Sequence, residues 1–178
     1  MITLQTPRLT IAPLSEEDAA FILELVNDAD WLRFIGDKRI HTLDAAARYL
    51  REGPLASYVR HGFGLCRVDR RDDRQPIGLC GLVRRSTLDD VDLGFAFLPH
   101  GRGQGFAHEA AAAVLAHGFD TLGYERIVAI TTDDNRSSAR VLESIGMRFE
   151  RHVQLPGDAA ALRLFAAARD RPSDPQQP

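Results

Sequence analysis

The spacing of apolar positions along the chain changes twice, and these changes mark out its elements. Residues 8–14 (Arg-Leu-Thr-Ile-Ala-Pro-Leu) alternate apolar and polar side chains and stop near Pro13, as a strand at or near a sheet edge does. Ser15-Glu16-Glu17-Asp18 forms a capping box, with Asp18 in place of the usual Glu. Ala19, Ile22, Leu23 and Val26 then keep helical spacing. Asn27-Asp28-Ala29-Asp30 predicts the end of that helix. Residues 31–41 mix aromatics and charges without a period, which predicts a connecting segment. Its Trp31, Phe34 and Ile35 either form the wall of a binding site or merely cover the core. Thr42 opens a second helix with Leu43, Ala46, Ala47 and Leu50 on one face, running to about Leu55 unless Gly53-Pro54 cuts it short.

From Gly62 the period becomes two. Residues 63–68, 77–83 and 91–98 read as strands, and the polar links 69–75 and 84–90 allow hairpins but are too short for parallel crossovers. A meander of three antiparallel strands follows. After a glycine-rich turn the helical period returns, with Phe106, Ala110, Val114 and Ala107, Ala111, Leu115 at i, i+4 spacing until Leu122-Gly123. Residues 126–131 are a buried strand reached by a strand-helix-strand path, hence parallel to its neighbour. Asn135 caps a helix over 138–144 that ends at Gly146, and strands over 147–153 and 161–168 complete the pattern. The predicted architecture is a single α/β domain over 1–168, a mixed and mostly antiparallel central sheet flanked by helices. Residues 169–178, rich in Pro, Gln, Ser and Asp, are expected to form a disordered tail.

At 178 residues with 44% hydrophobic content the chain can bury one sizeable core, so two domains are not expected. A formal net charge of −3 argues against broad binding to nucleic acid or anionic membranes, so any phosphate site must be local. There is neither a charged-then-apolar leader nor an apolar run of about 18 residues, and the expectation is a cytoplasmic protein without membrane contact. Cys66 and Cys80 lie in apolar runs without metal or disulfide spacing and read as buried thiols, and the six His show no metal-ligand spacing, so no metal is expected.

The stretch 93–110 carries the candidate chemistry. It passes from an apolar strand through Gly101, Gly103 and Gly105 into a helix, a layout whose unpaired amides and positive dipole end suit an anion. Arg102 adds a cation with a planar donor fork. The other reading of the same residues is an ordinary glycine-rich turn with a solvated Arg. A dinucleotide-binding fingerprint fails, since Phe106 stands where its third Gly or Ala belongs, and a P-loop fails for want of Gly-Lys-Ser/Thr.

Arg102-Gly103-Gln104-Gly105-Phe106-Ala107 resembles the Arg/Gln-x-x-Gly-x-Gly/Ala motif of the GNAT superfamily of N-acetyltransferases. Asp92-Leu93-Gly94-Phe95, the pair Asn135-Arg136-Ser137-Ser138 and Leu142-Glu143-Ser144-Ile145-Gly146-Met147, and the opening Thr6-Pro7-Arg8-Leu9 are similar to further segments of that family, above all its RimJ/RimL-like branch. The resemblance implies that acetyl-CoA is the co-substrate. Its pyrophosphate would be held by backbone amides of Arg102, Gly103, Gly105 and Phe106, beside Ala107, and its pantetheine arm by the strand around Phe97 and Leu98 and by Asn135 from the other side. The acceptor would be a primary amine, of a peptide N-terminus or a small molecule, that attacks the thioester directly in a ternary complex.

Asp92 stands where related enzymes carry a Glu that accepts the amine proton; its alternative role is a salt bridge to Arg84 or Arg85. Many relatives use a Tyr as the acid, but Tyr49, Tyr58 and Tyr124 all lie elsewhere in the chain. That leaves Ser138, whose alternative is a plain first-turn residue. Acceptor specificity is expected from the segment with Trp31 and Phe34 and from the last hairpin, and the mild net acidity favours a cationic acceptor. A non-catalytic acyl-CoA sensor and a partner-binding module built on Trp31 and Phe34 remain as alternative functions. The protein is read as a monomer or homodimer.

Overall fold

A computed structural model describes residues 3–156 and 160–169. An eight-stranded sheet among these residues runs in the order β1-β2-β3-β4-β5-β6-β8-β7. The strands are β1 (Leu4–Gln5), β2 (Leu9–Pro13), β3 (Leu65–Arg70), β4 (Pro76–Val83), β5 (Val91–Phe97), β6 (Arg126–Thr131), β7 (Arg148–Val153) and β8 (Leu162–Ala168). All neighbours are antiparallel except β5 and β6, the pair separated by the crossover helix α5 (Phe106–Asp120). The expected opening strand is therefore second from the edge, because the two-residue β1 pairs outside it.

Leu79 and Cys80 are adjacent on β4 yet belong to different apolar clusters, so the sheet lies between two core layers. One layer packs α5 and α6 (Arg136–Ser144) against the sheet through Phe106, Ala110, Val114, Leu142 and Phe165. The alanine face of α5 comes close to β6: a Cβ on Gly118 would sit 2.5 Å from Ile127 Cδ1. The other layer gathers Ile22 and Leu25 from α1 (Ala19–Val26), Trp31 from α2 (Ala29–Phe34) and Ala46 and Leu50 from α3 (Leu43–Leu50).

The structure departs from the sequence reading in two places that shape the site. Asp28, expected to help end a helix, also starts the next one: its side chain accepts from the Asp30 amide, and α2 occupies part of the supposed connecting segment. The same short acidic side chain satisfies helix breaking and N-capping alike. Gly53-Pro54 does not stop the second helix. The chain widens into a π turn over Arg51–Leu55 and continues as α4 (Ala56–His61), a geometry that absorbs the amide Pro54 lacks. The expected tail lies outside the described residues beyond Arg169, whose own amide still donates to the Glu125 carbonyl at 2.9 Å.

Candidate active site

β5 and β6 pair only at Val91–Ile127 and Asp92–Val128. Past these two positions the strands part, and a cleft opens between them with a cavity on either side of the gap. One cavity, of about 480 Å³, is bounded by the glycine turn, the start of α5, α2 and Asn135. The other, of about 410 Å³, is bounded by the π turn, α4, Arg84, Arg85 and Asp92. Trp31, Ile35, Phe95, Ala96, Ile130 and Ser138 line both, so the cavities meet at the splayed strands.

The first cavity is built from backbone. Gly103 and Gly105 take φ of +73° and +80°, and Gly105 is the N-cap of α5 with no side chain capping the helix. The amides of Gly103, Gly105, Phe106 and Ala107 have no acceptor among the described residues, and all four residues line the cavity. Donors of this kind, aligned with the helix dipole, suit a pyrophosphate. The turn is braced from outside. Glu109 on α5 accepts from Thr6 Oγ1 at 2.6 Å, from the Arg8 amide at 2.9 Å and from Arg8 Nε at 2.6 Å. Arg8 also donates to the Gln104 carbonyl and lies over the Phe106 ring. The Thr6-Pro7-Arg8 opening is thus a clamp on the cradle. Partial burial alone would raise the Glu109 carboxyl, but these donors together hold it below its ordinary value.

Asn135 caps α6: its Oδ1 accepts from the Ser138 amide at 3.1 Å and from Ser137 Oγ at 2.9 Å. Its Nδ2 has no partner among the described residues and is free for a carbonyl in the cavity. α2 bridges the cleft, bonded through Arg33 to Asp134 at 2.9 Å on one side and through Asp28 and Asp30 to Arg102 on the other.

The second cavity is built from side chains. Asp92 is 1% exposed; its Oδ2 accepts from Arg85 Nε at 2.5 Å, while Oδ1 is buried without a hydrogen-bond partner. Burial pushes this carboxyl above its ordinary value and the Arg85 guanidinium opposes that shift. Tyr49 comes from α3, and its hydroxyl is likewise raised by burial and opposed by Arg85. Ser138 lines both cavities, and its hydroxyl makes no hydrogen bond among the described residues.

The expected site residues do not all fall where the sequence put them. Phe97, Gly103, Gly105, Phe106, Ala107 and Asn135 line the cradle side. Arg102 lines it too, but its amide donates to the Pro99 carbonyl and its guanidinium is taken by Asp28, Asp30 and the Phe97 carbonyl. It shapes the turn, and three of its five side-chain N–H groups are engaged within the protein. Leu98 is 2% exposed, packs in the α1–α3 layer and spends its amide on the Ile77 carbonyl, so it does not reach the cavity. Phe34 lines only the cradle side, whereas Trp31 lines both.

Of the tyrosines set aside, Tyr58 is committed to Leu14 and Leu65 and Tyr124 stacks edge-on against Phe63, but Tyr49 does reach the acceptor side. Its signal was readable: Tyr49 lies three residues after the buried Ala46, at the margin of the apolar stripe of α3. Arg85, named beforehand only as a possible partner of Asp92, is a cavity wall as well. Cys66 and Cys80 are unpaired, and burial pushes Cys66 up to about 11. Among the described residues no cluster of His, Cys, Asp or Glu could hold a metal ion, and no helix is long and apolar enough to cross a membrane.

A backbone anion cradle at a split between parallel strands, joined to a second chamber, suits a phosphate-bearing chain that meets a second substrate. The family model described as "Acetyltransferase (GNAT) domain" matches residues 8–148, and the chain belongs to that family. It is similar to YoaA of Bacillus subtilis (strain 168), described as an uncharacterized N-acetyltransferase, with 26% identity over 148 residues and 83% of each chain covered. Its fold matches an acetyltransferase from Agrobacterium tumefaciens str. C58 with a TM-score of 0.81, at 24% identity over 95% of both chains. RimL, a ribosomal L7/L12 alpha-N-protein acetyltransferase solved with coenzyme A, shares the fold at a TM-score of 0.80 and 15% identity, over 94% of this chain and 98% of that one. The protein is an acetyltransferase, and its family draws the acetyl group from acetyl-CoA.

Proposed function

We propose that the protein moves an acetyl group from acetyl-CoA to a primary amine by direct attack, with both substrates bound at once. The observation that carries this reading is the junction: a cradle for a phosphate-bearing chain and a separate charged chamber share the splayed strands and Ser138. The cradle amides of Gly103, Gly105, Phe106 and Ala107 would hold the pyrophosphate. The bare edge of β5 up to Phe97 and the Asn135 Nδ2 would hold the pantetheine arm, which brings the thioester to the junction.

The amine nitrogen bonds to the thioester carbonyl carbon, the C–S bond breaks, and the proton the amine loses ends on the departing thiolate. No outside acid or base is consumed. The Ser138 hydroxyl would donate to the sulfur as charge develops there. Asp92 enters as the holder of Arg85, since one oxygen is taken and the other has no exposed surface from which to meet an amine. The acceptor therefore reacts as the fraction already neutral, and the rate should follow the amine's own titration. The test is an acetyl-CoA assay with free-thiol detection over a panel of amines, with both substrates varied. Intersecting double-reciprocal lines support simultaneous binding; parallel lines, the mark of a covalent acetyl-enzyme, overturn it.

A further inference from the structure

The wall of the acceptor cavity is locally basic in a chain whose formal charge is −3. Among its described lining residues Lys38, Arg60, Arg84 and Arg85 stand against two carboxylates, Glu52 and Asp92, and Asp92 is already paired with Arg85. The geometry of Arg85 says what that charge is for. Its Nε is held at 2.5 Å by an Asp92 that is itself almost wholly buried, which fixes the guanidinium plane. Its Nη1 and Nη2 have no partner among the described residues. A guanidinium anchored by Nε presents its end as two parallel N–H groups, the shape that grips a carboxylate in bidentate fashion.

We propose that the acceptor is a small amine carrying a carboxylate close to its amino group, in the manner of a free α-amino acid, with Arg85 holding the carboxylate. This rests on the transfer reading above. Asp92 is the positioning residue that orients Arg85. A polyamine brings the wrong charge to this wall, and a peptide N-terminus has a neutral carbonyl where the carboxylate would lie. The net acidity of the chain, which favoured a cationic acceptor, is outweighed by the charge of the cavity itself.

The experiment compares free L-amino acids with their α-amides in the thiol-release assay. Each kcat/KM is corrected for the neutral fraction of the amine, and binding of coenzyme A is measured in parallel by calorimetry. The expected result is a preference for the acids of at least tenfold. Arg85→Gln should remove that preference by raising the acceptor KM, and Arg85→Lys, which keeps the charge without the fork, should restore part of it. Asp92→Asn should raise the same KM with a smaller change in kcat. Thermal melts of each variant check folding; the Arg85 side chain is 41% exposed, so its replacement leaves no buried hole. Turnover of the amides as good as that of the acids, or an acid preference that survives Arg85→Gln in a folded variant, overturns this inference alone. Absence of turnover in both series with coenzyme A still bound overturns the transfer reading together with it.

Discussion

The two ends of the cleft are made of different material. The cradle end presents main-chain amides and two left-handed glycines, and the cations beside it, Arg8 and Arg102, are paired with Glu109 and with Asp28 and Asp30. The acceptor end is walled largely by side chains from separate stretches of the chain, among them Trp31 to Lys38, Tyr49 to Leu65, Leu79 to Arg85, Asp92 to Ala96 and Ala129 to Leu142. A backbone site is rigid because hydrogen bonds and a helix hold it. A side-chain site can be changed one residue at a time without moving the frame. In one fold, the donor end is thus hard to alter and the acceptor end easy.

The comparison can be broken most forcefully at the junction. Ser138→Ala should lower kcat by about a hundredfold, the scale for losing one donor to a developing charge, with the KM for acetyl-CoA unchanged. A loss under about twofold would reduce Ser138 to a first-turn helix residue. At the cradle end, Gly105→Val forces a β-branched residue to φ +80° with its Cβ 3.3 Å from Arg8 Nη2. Coenzyme A affinity by calorimetry should fall at least about tenfold, since relief of roughly 1–2 kcal/mol of left-handed strain moves the amides out of the cradle and the new side chain crowds the anion. Unchanged affinity in a folded variant would mean that the amides do not form the site.

The acceptor end should respond more mildly. Asp92→Asn should leave the unfolding free energy from urea melts within about 1 kcal/mol of the parent, because the Arg85 it releases is partly exposed and can rehydrate. Its kcat/KM relative to the parent should be independent of pH from about 6 to 9; a true base would give a deficit that shrinks as the amine neutralises itself. The smallest effect concerns the brace behind the cradle. The Glu109 carboxyl is held below its ordinary 4.5 by Thr6 and Arg8. Its contribution to stability is therefore full above pH 4.5 and is lost as pH falls through the lowered value. Glu109→Gln should cost about 1 kcal/mol at pH 7 and progressively less as the pH falls below 4.5, measured by urea melts.

The same contrast explains what could be read from the residues beforehand. The cradle was legible because glycine at positive φ and a following helix leave a local signature in six consecutive positions, and the Asn135 cap and the Ser15–Asp18 box are local as well. The ion pairs of Arg102 were not legible because its partners, Asp28 and Asp30, are more than 70 residues away in the chain. α2 was missed because Asp28 serves two helices, and the helix through Pro54 because a π turn has no distinct sequence pattern. The acceptor wall has no contiguous signature at all. Only the fold brings Tyr49, Arg85 and Ser138 together, and only the alternative of an Arg85–Asp92 pair hinted at it.

Because β5 meets β6 at two positions and then leaves it, the sheet carries a bare strand edge in its own interior. On an outer surface such an edge would recruit a second chain and seed aggregation. Here α2, tied down through Arg33 and Asp28, limits access to something as thin as a single extended chain. Alternate amide protons along that edge have no partner strand. They should exchange with heavy water quickly in the unliganded protein and slowly once a chain-like ligand lies against them. Their exchange rates thus report how full the cleft is, without any need for turnover.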